Sequence, residues 1–260
     1  LGTIPMLVDG DVRMTESSAI VLYLAEQAGE TPLIIAPGAP EVQGKATIGI
    51  AYGSDERQKL DVYVPTQAAD KPYPVLLFFH GGAWRDGERD GYGFLGRAFA
   101  ARGIVTVVAD YRKTPKDRFP AFVEDTASAI AWVQKNVGTY RGDPERMFLM
   151  GHSAGAHIAM MAALDPQWLA AQKLDSTSIK GVIGLAGPYD FLPLTTDSSK
   201  IALGQWPDLN ETQPIHYARA DAPPLLLLTG DIDTVVKPRN SKALAARMAE
   251  LGGQSTLKIY

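Results

Sequence analysis

Five short, almost unbroken apolar runs constrain this chain more than any other feature. They read "YPVLLFFHGG", "GIVTVVADYR", "MFLMG", "KGVIGLAG" and "PPLLLLTGD". A strand with one wet face alternates apolar and polar residues, whereas a continuous run of this length suits a strand buried on both faces. "KLDVYVP" before them alternates, and "STLKIY" closes the series. Segments of helical length lie between. Residues 120–137 carry Phe122, Val123, Ile130, Val133 and Val137 at helical spacing. Residues 240–251 follow an expected Asn240/Ser241 cap, place Leu244, Met248 and Leu251 on one face, and stop at Gly252-Gly253. Strands alternating with helices of this length predict an α/β fold, a mainly parallel sheet covered on both sides.

With 260 residues, 46% of them hydrophobic, the chain can bury a sizeable core. Its formal net charge is -4 and its Lys and Arg are scattered, so neither a nucleic-acid partner nor a basic membrane-binding face is expected. The absence of cysteine excludes disulfides, thiolate catalysis and cysteine–zinc sites. No apolar run approaches the roughly 18 residues of a membrane span. The chain opens on Leu1 rather than Met, which leaves an earlier start and a removed leader open; cytoplasm is the default expectation. No pattern speaks to the oligomeric state.

A Pro-, Gly- and Ala-rich seam, "APGAPEVQGKAT" at residues 36–47, divides the chain. Before it, "IPMLVDGDVRMTES" reads as two short strands joined at Asp9-Gly10, a hairpin turn signal. "TESSAIVLYLAEQAG" then reads as a helix, capped by Thr15 or Ser17 and closed by Gly29. Residues 1–41 resemble a piece of a glutathione transferase, through "GTIPMLVDGDVRMTESSAI" and "LIIAPGAPE". The resemblance implies a cis proline at Pro5 beside glutathione, with Glu16 and Ser17 at its γ-glutamyl end. That half-domain needs an earlier strand-helix-strand, which is absent, and the helical domain that should follow is replaced. The expectation is therefore a fused ββα appendage (residues 1–41) without a working glutathione site, a linker at 42–46, and a main domain at 47–260.

Three elements of the main domain can carry chemistry. Gly151-His152-Ser153-Ala154-Gly155 fits G-x-S-x-G and sits between an apolar strand and a helix of small residues, the setting of a nucleophile on a sharp turn. The bland alternative is a structural glycine turn. His80-Gly81-Gly82-Ala83-Trp84 ends a buried strand. Its glycines let backbone approach a ligand, and the N–H groups of Gly82, Ala83 and Ala154 can face a developing oxyanion. Asp231 and Asp233 follow "LLLLTG" at the carboxyl end of a strand, where open α/β sheets bind ligands. Asp233 is the expected triad acid and Asp231 the reserve. No His or further acid stands at metal-ligand spacing, and no metal or cofactor is expected. "GYGFLG" at residues 91–96, with Asp110 beyond it, imitates a dinucleotide fingerprint, but "AWRDGERD" stands where a strand should precede it.

Together these elements resemble the α/β-hydrolase superfamily, in particular bacterial esterases and lipases near hormone-sensitive-lipase-like esterases and kynurenine formamidases. The matching stretches include "AYGSDERQKLDVYVP", "FFHGGAWRDG", "YRGDPERMFLMGHSAGAH", "GLAGPYDF" and "LLLLTGDIDTVVKP". The family's oxyanion loop is often HGGG; here Ala83 stands third among the loop's small residues. The resemblance implies an α/β-hydrolase fold and a serine carboxylesterase acting on small-molecule esters of short to medium acyl length. The alternatives are an arylformamidase and a hydrolase crippled by loss of its histidine. Residues 188–218 are expected over the site, where Phe191, Leu194 and Trp206, with Trp84, either shape an apolar acyl pocket or simply pack.

The triad histidine is the missing part. In this fold it follows the acid, beyond the last helix and strand. His80 belongs to the oxyanion loop, where it is expected to brace rather than transfer protons. His152 adjoins the nucleophile but should point elsewhere, His157 lies one helical turn beyond Ser153, and His216 precedes the acid. The base is therefore expected after Tyr260, failing which Ser153 has no partner.

Overall fold

The computed structural model describes the backbone of residues 7–9 and 12–14 and all of residues 45–260. β1 (Leu7–Asp9) and β2 (Val12–Met14) pair antiparallel with Asp9 opposite Val12, which is the hairpin expected at Asp9-Gly10. The expected helix over residues 15–29, and Pro5, Glu16 and Ser17, lie outside the described residues.

The main sheet has eight strands: β3 (Lys45–Ala51), β4 (Lys59–Val64), β5 (Tyr73–Phe79), β6 (Val105–Ala109), β7 (Gly142–His152), β8 (Val182–Leu185), β9 (Leu225–Thr229) and β10 (Ser255–Ile259). Their order is β10-β9-β8-β7-β5-β6-β4-β3. Every pairing from β10 to β6 is parallel, and β4 and β3 add an antiparallel edge. The apolar runs are the central strands. β6 is buried at every position, and β5 at all but one.

Alternate side chains of each strand serve two separate cores. Val75, Leu77 and Phe79 of β5 join one with Met147, Leu149 and Leu227. Helices α2 (Ala121–Asn136), α3 (Ala154–Leu164) and α6 (Arg239–Glu250) close it with Phe122, Ile130, Ile158, Leu244 and Met248. Leu76 and Phe78 face the other way, against Leu95 of α1 (Gly93–Ala100). Two shorter helices, α4 (Pro166–Ala171) and α5 (Asp197–Leu203), complete the first layer. α3 is buried along its whole length, which explains why "AGAHIAMMAAL" has no polar stripe.

Two expectations need correction. β3 begins at Lys45, so it takes in Lys45 and Ala46 of the expected linker. It is an edge strand with five of its seven residues exposed and no continuous apolar face, so neither periodicity marks it. α6 starts at Arg239 with Pro238 as its cap residue, not at Asn240 or Ser241. Asn240 is buried in the first turn, where its Oδ1 accepts from the N–H groups of Tyr189 and Asp190, both at 3.0 Å. As expected, no strand directly precedes "GYGFLG": its first two residues belong to a 3-10 turn at Arg89–Tyr92, so the dinucleotide fingerprint lacks its required setting. Among the described residues no helix is long and apolar enough to cross a membrane.

Candidate active site

β7 runs straight into the turn that carries Ser153. The serine has φ 51° and ψ -119°, outside the regions that L-residues ordinarily occupy, and α3 begins at the next residue. Such strain is held only where the surroundings fix it. Ser153 N–H donates to Leu185 O at 2.8 Å, and Ser153 O accepts from His157 N–H at 3.1 Å. The turn has no room for larger neighbours. A Cβ on Gly155 would lie 2.1 Å from Phe79 O, and one on Gly151 2.3 Å from Gly155 O.

The loop after β5 lies against this elbow. Phe79 is in register with Gly151, and a Cβ on Gly81 would meet His152 Nδ1 at 2.5 Å. Gly82 (φ 130°), Ala83 (φ 52°) and Trp84 (φ 57°) all take left-handed conformations, and Gly82 O accepts from Arg85 and Asp86 N–H. No hydrogen bond among the described residues engages the N–H of Gly82, Ala83 or Ala154. Three donors without partners, on two abutting turns, make an arrangement able to receive a negatively charged oxygen.

His80 braces this loop, as expected. It is fully buried, its Nε2 lies 3.2 Å from Asp110 Oδ1, its ring stacks on Tyr111, and its carbonyl accepts from the Tyr111 hydroxyl at 2.9 Å. Asp110 is also bound by Arg89, through its backbone N–H at 2.7 Å and Nη1 at 2.6 Å. Burial pushes the Asp110 carboxyl up, but His80 and Arg89 outweigh it and hold the group ionised below its usual range. Asp110 is thus committed to the loop and not available to a ribose.

The two candidate acids differ in setting. Asp233 is 9% exposed, and its Oδ1 accepts from the N–H groups of Val235 and Val236, both at 2.9 Å. Its Oδ2 has no hydrogen bond among the described residues, which leaves a fixed carboxylate with one oxygen to offer. Asp231 is exposed, and its N–H donates to Tyr260 O at 2.9 Å. Because Ile259 is in register with Thr229, the strand β10 ends beside the acid loop, on the carboxyl edge of the sheet from which Ser153 also emerges.

None of the four histidines hydrogen-bonds Ser153 Oγ or Asp233 among the described residues. His152 packs on Gly81 with its Nδ1 enclosed, and burial, aided by His80, lowers its pKa to about 4. His216 is exposed and meets Tyr217 edge-on. His157 is fully buried between Trp84 Nε1, which donates to its Nδ1 at 3.2 Å, and Thr212 O, which accepts from its Nε2 at 2.8 Å. Burial lowers its pKa to about 4, against the opposing pull of the Thr212 carbonyl. The unfolded chain would protonate His157 near pH 6.5, so between these values unfolding takes up a proton. Its contribution to stability is whole above about pH 6.5 and is lost as pH falls toward 4, at up to about 1.4 kcal/mol per pH unit. His152, depressed to the same value, adds a like slope, so His157→Asn is expected to lower the pH dependence of urea unfolding between pH 7 and pH 5 by about half. An unchanged slope would mean that His157 protonates equally easily in both states.

Of the pocket residues, Trp84 and Phe191 come together, with rings stacked at 6.0 Å. Trp84 is 5% exposed, so its ring forms a wall rather than a free surface. Leu194 and Trp206 are half-buried against the same core; Trp206 meets Phe119 edge-on at 4.8 Å and donates to Glu211 Oε2 at 2.7 Å. The described residues also line a surface hollow of about 310 Å³, between Ile48, Asp61, Tyr63 and the Asp90–Arg97 segment, which shares no residue with the serine site. No cluster of His, Cys, Asp or Glu among the described residues suits a metal ion.

A family model described as BD-FAE matches residues 60–248. The chain is 34% identical over 218 residues to Esterase LipC of Mycobacterium tuberculosis, covering 76% of this chain and 54% of that protein. It is 31% identical over 233 residues to a probable isoprenylcysteine alpha-carbonyl methylesterase of Arabidopsis thaliana, covering 81% of this chain and 49% of that one. The chain thus spans about half the length of these relatives. Among solved structures, a truncated carbohydrate esterase from gut microbiota superposes with a TM-score of 0.75 at 20% identity, over 85% of this chain and 89% of that one. This last likeness concerns the fold.

Proposed function

The chain belongs to the BD-FAE family, and from that premise we propose that it is a serine carboxylic ester hydrolase of α/β-hydrolase fold. Ser153 Oγ attacks the acyl carbon of a small ester of short to medium chain length. The charge that develops on the carbonyl oxygen is received by the N–H groups of Gly82, Ala83 and Ala154. The observation that carries this reading is the strained Ser153 turn abutting a loop whose backbone donors have no other partner. The names of the relatives, esterase and methylesterase, support the reaction class.

The base is a histidine that follows Tyr260 and bridges Asp233 Oδ2 to Ser153 Oγ. It takes the serine proton in acylation and returns it to the leaving alcohol; water then releases the acyl group by the same route. The placement of β10's carboxyl end beside the acid loop supports this, since a short connection reaches both partners. The coding sequence read onward from Tyr260 is expected to give a histidine within about ten residues. Trp84 and Phe191 wall the acyl side, with Leu194 and Trp206 further along the covering segment.

The test is hydrolysis of p-nitrophenyl acetate by the full-length protein, alongside an N-formyl aryl amide. Faster turnover of the amide would make the protein an arylformamidase; turnover of neither would leave it a hydrolase by ancestry only. Residues 1–41 serve as a fused transferase-like appendage that binds no glutathione. Calorimetry with millimolar glutathione is expected to give no saturable heat, and a binding isotherm would reverse that assignment.

A further inference from the structure

We propose that Trp84 and His157 are positioning residues that clamp the oxyanion loop, the nucleophile helix and the segment over the site in one register. The proposal rests on the serine-hydrolase reading above. Trp84 Nε1–H donates to His157 Nδ1 at 3.2 Å, and His157 Nε2–H donates to Thr212 O at 2.8 Å. These bonds span 73 and 55 residues of sequence. Trp84, His157 and Thr212 are all buried, so water does not compete for the three groups. The two partners also fix the imidazole as the neutral tautomer with its proton on Nε2.

Each member of the clamp is next to a working part. Trp84 follows Ala83 directly, and these two non-glycine residues take left-handed conformations in succession, at φ 52° and 57°. A strained loop of this kind keeps its shape only when held from outside. Thr114 N–H, donating to Trp84 O at 2.9 Å, holds its backbone, and His157 holds its ring. His157 is one turn beyond Ser153 and donates its own N–H to Ser153 O at 3.1 Å. Phe191 completes the unit. It stacks on Trp84, meets His157 edge-on at 5.8 Å, and its N–H donates to Gln213 Oε1. A shift of Trp84 therefore carries the Ala83 N–H away from the site that Ala154 N–H faces from the other side. Displacements of that order weaken transition-state binding more than substrate binding.

Three variants of the full-length protein separate this role from packing. Trp84→Phe keeps the aromatic stack and deletes the donor. His157→Gln keeps a donor for Thr212 O and loses the acceptor for Trp84. His157→Asn keeps an acceptor near the Nδ1 position. On p-nitrophenyl acetate, the first two are expected to lower kcat by about 10- to 100-fold with KM within about 2-fold. His157→Asn is expected to recover most of that loss. The double variant Trp84→Phe/His157→Gln is expected to lose no more than the worse single, because both remove one bond. If Trp84→Phe does not fold, His157→Gln against His157→Asn reads the same bond. Unchanged kcat in folded variants, a change confined to KM, or additive losses would each overturn the clamp while the wild type remains an esterase. A wild type that hydrolyses no ester would overturn the reading of function and the clamp with it.

Discussion

Ser153→Ala is expected to reduce kcat/KM on a short p-nitrophenyl ester by about 10⁴- to 10⁶-fold, the range that loss of a triad serine costs. The protein should unfold at the same temperature as the wild type. Both outcomes follow from the turn. Ser153 is held by its backbone, through Leu185 O and His157 N–H, and no side-chain hydrogen bond among the described residues engages its hydroxyl. Alanine meets the same steric cost at φ 51° as serine does, so the elbow keeps its shape. The oxyanion donors and the pocket survive, which leaves a residual rate above that in water. An alanine variant within about tenfold of the wild type would exclude Ser153 as the nucleophile. Covalent labelling by a fluorophosphonate checks the same point independently: the wild type should take up one label and the variant none.

The parts of this molecule that were legible in the sequence are those whose physics is local. A strand buried on both faces writes itself as a continuous apolar run, so β5, β6, β8 and β9 were evident from their runs, while β7 starts at Gly142, five residues before its run at Met147, in a polar stretch that gives no such signal. The Ser153 turn was evident because Gly151 and Gly155 are required by contacts within a few residues and by the neighbouring strand end. The role of His80 as a brace was also readable, since a histidine entering a glycine loop from a buried strand has few other uses. β3 was not legible. It is an exposed edge strand, broken by a register shift between Thr47 and Ile50, and its "KATIGIA" carries no clean period of two.

The wiring between segments was hidden for a different reason. Nothing local to Asn240 says that its side chain will hold the backbone of Tyr189 and Asp190, fifty residues away. Position in a first helical turn suggested a cap, because capping is the commonest local use of asparagine there. Likewise, His157 in an apolar helix reads as one more buried residue until Trp84 and Thr212 are seen on its two nitrogens. Arg89 was read only as part of "AWRDGERD", yet it joins Asp61 and Asp110 and so fixes the base of the oxyanion loop. Spacing along the chain carries no signal for such bonds; they exist only once the sheet order is set.

The two carboxylates after β9 give the second large effect. Asp233→Asn is expected to lower kcat on the same ester by about 10³- to 10⁴-fold, and Asp231→Asn by less than about 3-fold. Asp233 Oδ1 is saturated by Val235 and Val236 N–H, which fixes the plane of the carboxylate and aims Oδ2 outward. A histidine can donate its Nδ1–H to that oxygen and keep Nε2 free to accept the serine proton. Asparagine can hold the same two N–H groups through its carbonyl oxygen, so the loop should stay folded. It then presents an NH₂ where Oδ2 stood, and this donor stabilises the tautomer whose Nε2 already carries a proton and cannot act as base. Asp231 has no such constraint. Its carboxylate is exposed, and what ties it to the sheet is its backbone N–H on Tyr260 O, which Asn retains. Circular dichroism on both variants controls for folding. If Asp231→Asn suffers the larger loss, the acid is Asp231, and the two N–H bonds to Asp233 serve only to cap the Val235–Val236 turn.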